Sequence, residues 1–320
     1  MENPIIQLKD LSKSYGAVKA VDGLNLEVHK GEIFGLLGPN GAGKTTTILM
    51  MLGLTEPSSG SVQVCGYQST SHPIAVKRKV GYMPDSLGFY DQMTALDNLM
   101  YTARLNGLKE NEAMKQALET METVGLMADK DQKTAAYSRG MKQRLGLAEV
   151  LIKKPEVIIL DEPTLGIDPT GVKDFLVLIK SLSREQGITV LLSSHHLHHV
   201  QQVCDRVGIF VKGKLLAQGN IEALSKALFG HEGHVTSIKV AQEISESSAF
   251  HTELMKWKEI HKISMRGNEI ECTCKQDLTA ALVRFFVKEN YDVLSVHRKD
   301  YGLDEIYEKY FEAEHNRNSK

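Results

Sequence analysis

Cysteine is scarce in this chain, with four among 320 residues. That is too few for a disulfide scaffold at this length, and Cys65 and Cys204, isolated in sequence, read as buried reduced thiols. Only Cys272-Thr-Cys274 brings two together. On a strand these thiols share a face, which suits packing or a metal, yet no zinc-type second pair follows. Long apolar runs are also missing, none approaching the roughly 18 residues that a membrane-crossing helix needs. The start, Met1-Glu2-Asn3-Pro4, lacks the basic and apolar regions of a signal peptide. Neither charge dominates: 38 basic and 40 acidic side chains leave a net −2, so no global field favours nucleic acid or an anionic membrane surface. The expectation is a cytoplasmic chain that does not itself cross a membrane. Its 42% hydrophobic and 24% charged residues are those of a globular protein, and the length fits one large domain or two ordinary ones.

Short strands punctuated by glycine are predicted at Ile5–Leu8, Leu24–Val28, Ile33–Leu37 and Ser61–Val64. A helix is expected from Thr45 to Leu54. From Thr94 the pattern turns helical, with Thr94 as cap, Asp97 at the positive end and Gly107 as a stop. Asn111–Val124 and Gln143–Ile152 continue it, so a helical insert is expected over about residues 85–152. The apolar runs Val157–Leu160 and Ile188–Leu192, separated by the helical Gly171–Gln186, then predict a parallel sheet covered on both faces. The pattern breaks at Gly230-His-Glu-Gly233, read as a linker, and a small α+β domain follows. Its last helix carries Leu303, Ile306, Tyr307, Tyr310 and Phe311 on one stripe, best explained by packing within its own domain.

The chemistry is concentrated in an ordered series of motifs. Gly38-Pro39-Asn40-Gly41-Ala42-Gly43-Lys44-Thr45-Thr46 follows an apolar strand and opens a helix. Its glycines let the backbone wrap phosphate oxygens, its N–H groups and the helix N-terminus supply positive potential, Lys44 reaches the terminal phosphates, and the Thr45 hydroxyl is placed for Mg²⁺. Asp161 ends the strand of Val157-Ile-Ile-Leu-Asp161, where a carboxylate can hold Mg²⁺ through water, and Glu162 beside it can polarise an attacking water. His195 follows the next apolar strand and Ser193-Ser194. It belongs to the run His195-His196-Leu197-His198-His199, whose helical spacing could suit zinc; with no Glu or Cys joining at ligand spacing, no metal is expected there. In Tyr137-Ser138-Arg139-Gly140-Met141-Lys142-Gln143, a Ser hydroxyl and a glycine backbone at a helix start can meet a phosphate.

In this order the motifs resemble the ATP-binding subunit of an ABC transporter, over roughly the first two thirds of the chain. The resemblance implies an α/β fold: a P-loop ABC ATPase domain with an antiparallel β subdomain and a helical insert over residues 1–229, then a small α+β accessory domain over 234–320. It implies ATP and Mg²⁺ as cofactors and an ATPase using Lys44, Glu162 as base and His195 as the switch histidine sensing the γ-phosphate. Tyr15 stands where the family stacks an aromatic on adenine. Asp85, in Gly81-Tyr-Met-Pro-Asp85, replaces the usual Gln that senses Mg²⁺ and water, and being shorter and charged it transfers that role poorly. Leu165-Gly166-Ile167-Asp168 is similar to the loop that crosses to the opposite subunit, with Asp168 as its contact.

The signature, usually Leu-Ser-Gly-Gly-Gln, keeps Ser138 and Gly140 but departs at Tyr137, Arg139 and Met141. That variant, with the ending Leu303-Asp-Glu-Ile-Tyr307, resembles type-2 export systems. The implied partners are a separate integral membrane permease and a second ATP-binding subunit, a second copy by preference, in a head-to-tail dimer with ATP at the interface. The implied location is the inner face of the cell membrane, held there through the permease, with no nucleic acid partner. An importer subunit is the nearest alternative. A soluble ABC ATPase of translation would carry two sets of motifs, and one of DNA repair a long coiled coil between Lys44 and Asp161. A non-hydrolysing scaffold would not need Lys44, Asp161, Glu162 and His195 together.

Overall fold

The computed structural model describes residues 4–229, 234–244, 249–298 and 302–318. The linker expected at 230–233 lies outside them. Two compact units are present, one built from Met1–Ile221 and Tyr310–Lys320, the other from Glu222–Lys309.

The first unit is organised around a six-stranded sheet. Its strands lie in the order Lys214–Gly219, Arg206–Val211, Ile33–Leu37, Thr189–Ser194, Val157–Asp161 and Val80–Met83. Only the first pair is antiparallel. The inner strands Ile33–Leu37, Val157–Asp161 and Thr189–Ser194 are buried along their whole length, as continuous apolar runs require when both faces are covered. Register aligns their ends: Leu37 pairs with Ser194, Asp161 with Ser193 and Met83 with Leu160. The glycine loop, Glu162, His195 and Asp85 therefore leave the sheet at one edge, the carboxyl ends of parallel strands where ligands of such sheets bind.

A four-stranded antiparallel sheet, ordered Val18–Val28, Ile6–Tyr15, Ser59–Val64 and Tyr67–Gln68, packs against it through one apolar cluster containing Ile6, Leu8, Leu26, Val62, Phe34 and Leu36. The first two strands outrun their apolar segments because they pair with each other through polar residues, such as Ser14 with Lys19. The insert consists of helices Ala95–Leu105, Glu110–Thr123 and Arg139–Leu151 with two short 3-10 turns. Thr94 caps the first through a reciprocal bond with Asp97, and Gly107, left-handed at φ 82°, follows its end. The third begins at Arg139, four residues before its apolar periodicity, because the Ser138 hydroxyl accepts the Met141 N–H at 3.2 Å. Sequence periodicity missed the helix Pro73–Lys79, the strand Val80–Met83 and the hairpin Arg206–Val211/Lys214–Gly219.

The second unit runs strand, helix, strand, strand, helix, strand, with sheet order Ile260–Arg266, Glu269–Cys274, His234–Val240, Val293–Arg298 and all pairs antiparallel. This is a split βαβ arrangement. Cys272 and Cys274 share the inner face of their strand among Ile238, Ile270, Leu282 and Phe286, and burial pushes the Cys272 thiol up to about 12. In the terminal helix Leu303 and Ile306 are fully buried while Asp304 and Glu308 are exposed. No helix among the described residues is long and apolar enough to cross a membrane.

Candidate nucleotide site

A cleft of about 210 Å³ opens at this edge, lined by Ala20, the loop Pro39–Thr46, Asp85, Asp161 and Glu162. The loop is shaped by close backbone approach. A Cβ on Gly38 would lie 2.2 Å from the Phe210 carbonyl oxygen, and one on Gly43, at φ 106°, 2.2 Å from that of Ala20. Helix Lys44–Met51 starts directly at Gly43, so its free N–H groups face the cleft.

Lys44 is buried, and its Nζ donates to the carbonyls of Gly38 at 2.7 Å and Pro39 at 3.3 Å. It also lies 3.2 Å from Glu162 Oε1, a buried oxygen that has no hydrogen-bond partner of good geometry among the described residues. Thr45 Oγ1 donates to Asp161 Oδ2 at 2.8 Å, and Ser193 Oγ donates to Asp161 Oδ1. A hydroxyl that gives its hydrogen to a carboxylate keeps its lone pairs for a cation. Thr45 and Asp161 are thus suited to a hard divalent ion, and the glycine cradle with Lys44 to the phosphates beside it.

Glu162 holds a left-handed backbone, φ 48°, rare outside glycine. Its N–H donates to the Ser193 carbonyl and hydroxyl oxygens, both at 3.2 Å, which fixes the turn and aims the carboxylate inward. Glu162 Oε2 lies 2.9 Å from His195 Nδ1. An ionised carboxylate only accepts, so Nδ1 carries the proton and donates. Ser193 therefore holds the Asp161 carboxylate through its hydroxyl and the Glu162 backbone through its two oxygens, a role that sequence reading passed over; the signal was a polar pair closing an apolar strand.

His195 precedes the helix Leu197–Val203, so it and His199 do not share a helical face. His199 Nδ1 pairs with Thr164 Oγ1 at 3.2 Å, and burial together with the neighbouring imidazoles of His196, His198 and His195 keeps its pKa below the usual value. Tyr15 is half exposed at the end of its strand, with Lys13 Nζ 5.0 Å from its ring centre. Neither Tyr15 nor Ser138, Gly140 and Asp168 lines the cleft. Ser138 caps its helix, and Asp168 caps helix Pro169–Gln186 by accepting the Gly171 N–H at 3.0 Å.

An adjoining cleft of about 380 Å³ is lined by Asp85, Arg139, Tyr137 and Gln143 among others, so three departures from the family pattern share it. Tyr137 is buried up to its hydroxyl, which donates to the Asp129 carbonyl at 2.8 Å and ties the signature to the helical insert. Burial pushes its phenol up to about 12.

The profile of the ABC transporter family matches residues 21–165. The chain is 44% identical over 222 residues to the bacitracin transport ATP-binding protein BcrA of Bacillus licheniformis, covering 69% of this chain and 72% of that one. This protein belongs to the ABC transporter ATP-binding family. The linearmycin resistance ATP-binding protein LnrL of Bacillus subtilis is 34% identical over 306 residues, 95% of this chain and 97% of LnrL, so the likeness extends through the second unit. Among solved structures, an ATP-binding subunit of an ABC transporter is 30% identical with a TM-score of 0.63, over 71% of this chain and 93% of that one. The cbiO1 protein of Clostridium perfringens, part of the cbiONQ ABC transporter complex, is 29% identical with a TM-score of 0.64, over 72% and 92%. The chain is accordingly an ATP-binding, ATP-hydrolysing subunit of the type-2 exporter-like group, working with a separate permease.

Proposed function

We propose that this subunit drives expulsion of a toxic compound through its permease by closing and reopening a head-to-tail dimer of two copies around ATP. The convergence of Lys44, Thr45, Asp161 and Glu162 on one glycine-lined cleft, with His195 paired to Glu162, carries this reading. The loop Gly38–Thr46 binds the phosphates, with Tyr15 offering an aromatic face to adenine. Thr45 and Asp161 would hold Mg²⁺, which when bound neutralises charge developing on the phosphoryl oxygens; exposed Asp85 stands at the same wall. Glu162 accepts a proton from the attacking water, His195 orients Glu162 through Nδ1 and senses the terminal phosphate, and Lys44 exchanges its ion pair with Glu162 for phosphate. Ser138 and Gly140 meet the nucleotide held by the other copy, and Asp168 contacts that copy.

ATP contributes contacts only in the closed pair, which is how it shifts the equilibrium, and hydrolysis removes them. The permease docks on the helical insert, where Tyr90, Tyr101 and Leu105 are exposed and Asn98 holds the Tyr90 backbone at 2.9 Å. We assign the ATP-binding domain to residues 1–229 and an accessory domain to 234–320, although the compact units divide at Ile221/Glu222 and include Tyr310–Lys320 in the first. The subunit sits on the cytoplasmic face through the permease. A toxic substrate is supported by the bacitracin transport and linearmycin resistance relatives.

Affinity purification of Glu162→Gln with ATP and Mg²⁺ from detergent-solubilised native membranes tests the reading. A multi-span membrane protein in near-equal amount is expected. Ribosomes, repair factors or no membrane protein would overturn it.

A further inference from the structure

Arg139 is the sharpest departure in the signature, and its side chain turns toward this chain's own crossing loop. Gly166 in that loop has φ +72°, and a Cβ built on it would lie 2.6 Å from Arg139 Cζ and Nε and 2.8 Å from Nη1. The planar guanidinium thus occupies the space over Gly166 that any other residue's side chain would fill. The next residue repeats the contact: a Cβ on Gly140 would meet Ile167 Cγ2 at 3.7 Å, ordinary van der Waals distance. Two consecutive residues of the signature are seated on two consecutive residues of the loop.

That loop is short and tightly turned back to Glu162. The Leu165 N–H donates to the Glu162 carbonyl at 3.1 Å, and the Ile167 N–H to the Thr164 carbonyl at 3.3 Å. Asp168 then anchors its far end as a helix cap. Farther along, Arg144 Nη2 lies 3.9 Å from Asp174 Oδ2, a second tie between the signature helix and the helix that Asp168 caps. These contacts form a continuous path from the helix start at Arg139 to the backbone of Glu162.

We propose that Arg139, packed on Gly166, is a positioning residue that couples the signature to the base of the same chain. The proposal rests on the reading that the signature meets a nucleotide held by the other copy; it adds that engaging that nucleotide sets Glu162 for the chain's own. Arginine suits the role because its flat, weakly hydrated guanidinium stacks on a peptide plane, whereas a lysine ammonium does not. Gly166 is required both by its left-handed backbone and by the guanidinium above it.

The test is steady-state ATP hydrolysis by Arg139→Ala, Arg139→Lys, Gly166→Ala and the double variant Arg139→Ala/Gly166→Ala, with melting temperatures alongside. Each single variant is expected to lower kcat about fivefold with KM for ATP unchanged, roughly the loss of one coupled contact. Gly166→Ala both displaces the guanidinium and strains a left-handed backbone, so removing Arg139 as well should lower kcat no further than Gly166→Ala alone. A double loss near 25-fold, the product expected of independent sites, would overturn the coupling. So would Arg139→Lys at the wild-type rate, which would assign the effect to charge alone. Light scattering of Glu162→Gln with ATP separates this from failure of the underlying reading: a protein that stays monomeric removes the opposed copy itself, whereas a dimer with additive variants removes only the role of Arg139.

Discussion

Replacing Glu149 by glutamine should abolish a pH dependence of stability built into the helical insert. Glu149 lies on helix Arg139–Leu151 in a cavity of about 210 Å³ that also includes Thr102, Asn106, Gly146 and Lys153. Burial pushes its carboxyl up from 4.5 to about 7, against a smaller opposing effect of the Thr102 hydroxyl, which donates to Oε1 at 2.9 Å. The folded state therefore holds a proton that the unfolded chain releases. The associated stability is fully present below pH 4.5, declines as the pH rises, and is gone once the folded group ionises above about 7. At about 1.4 kcal/mol per pKa unit the full effect is about 3 kcal/mol, reduced to about 1–3 kcal/mol by the partial exposure of the site. Glutamine keeps an oxygen for Thr102 and carries no charge at any pH. Thermal unfolding from pH 5 to 9 should show the variant and wild type close together at pH 5. By pH 8.5 the variant should melt about 2–12 °C higher, at about 2–4 °C per kcal/mol. A difference between the two proteins that stays constant across this range would refute the reasoning, since a packing change alone has no pH slope.

The Glu162→Gln protein should bind ATP and remain in an ATP-dependent dimer while turnover falls about 10²–10⁴-fold, the range for loss of a general base; rapid hydrolysis would remove Glu162 from that role. Lys44→Ala should weaken ATP binding in equilibrium titration by about 10–100-fold, as expected for a charge-assisted contact, and wild-type affinity would contradict it. Gly43→Ala forces a methyl group to within 2.2 Å of the Ala20 carbonyl oxygen. It should cost about 2–4 kcal/mol from overpacking and backbone strain, read by denaturant unfolding; unchanged stability would mean that the loop relaxes freely. His195→Ala should lower kcat while leaving binding of ADP, which lacks the terminal phosphate, unchanged in the same titration; weaker ADP binding would place His195 elsewhere in the site.

Much of this was legible in the chain alone, for identifiable physical reasons. The buried strands announced themselves because a parallel strand covered on both faces must be apolar throughout, as Val157–Asp161 and Ile33–Leu37 are. The glycine loop was legible because phosphate wrapping demands glycine and lysine at fixed spacing, and Thr94 with Asp97 spelled out a helix cap. The antiparallel strands Ile6–Tyr15 and Val18–Val28 were seen only in part, since their outer halves are polar and paired through backbone bonds that leave no hydrophobic period. The start of helix Arg139–Leu151 was hidden for the same reason: its first turn is set by the Ser138 cap, not by an apolar face.

Tertiary structure alone decided which side chains touch. Lys44 meets Glu162 across a separation that no motif spacing encodes, because parallel register brings Leu37 beside Ser194 and Asp161 beside Ser193. Ser193 came to hold the Asp161 carboxylate and the Glu162 backbone N–H, and Arg139 found Gly166, only once their strands and helices had packed. Residue types at fixed local spacing set which chemistry the chain carries, because motifs are local and their residues follow from the groups they bind. The fold decided how those groups are aimed and coupled, because register, burial and the turn at Glu162 are properties of distant segments meeting.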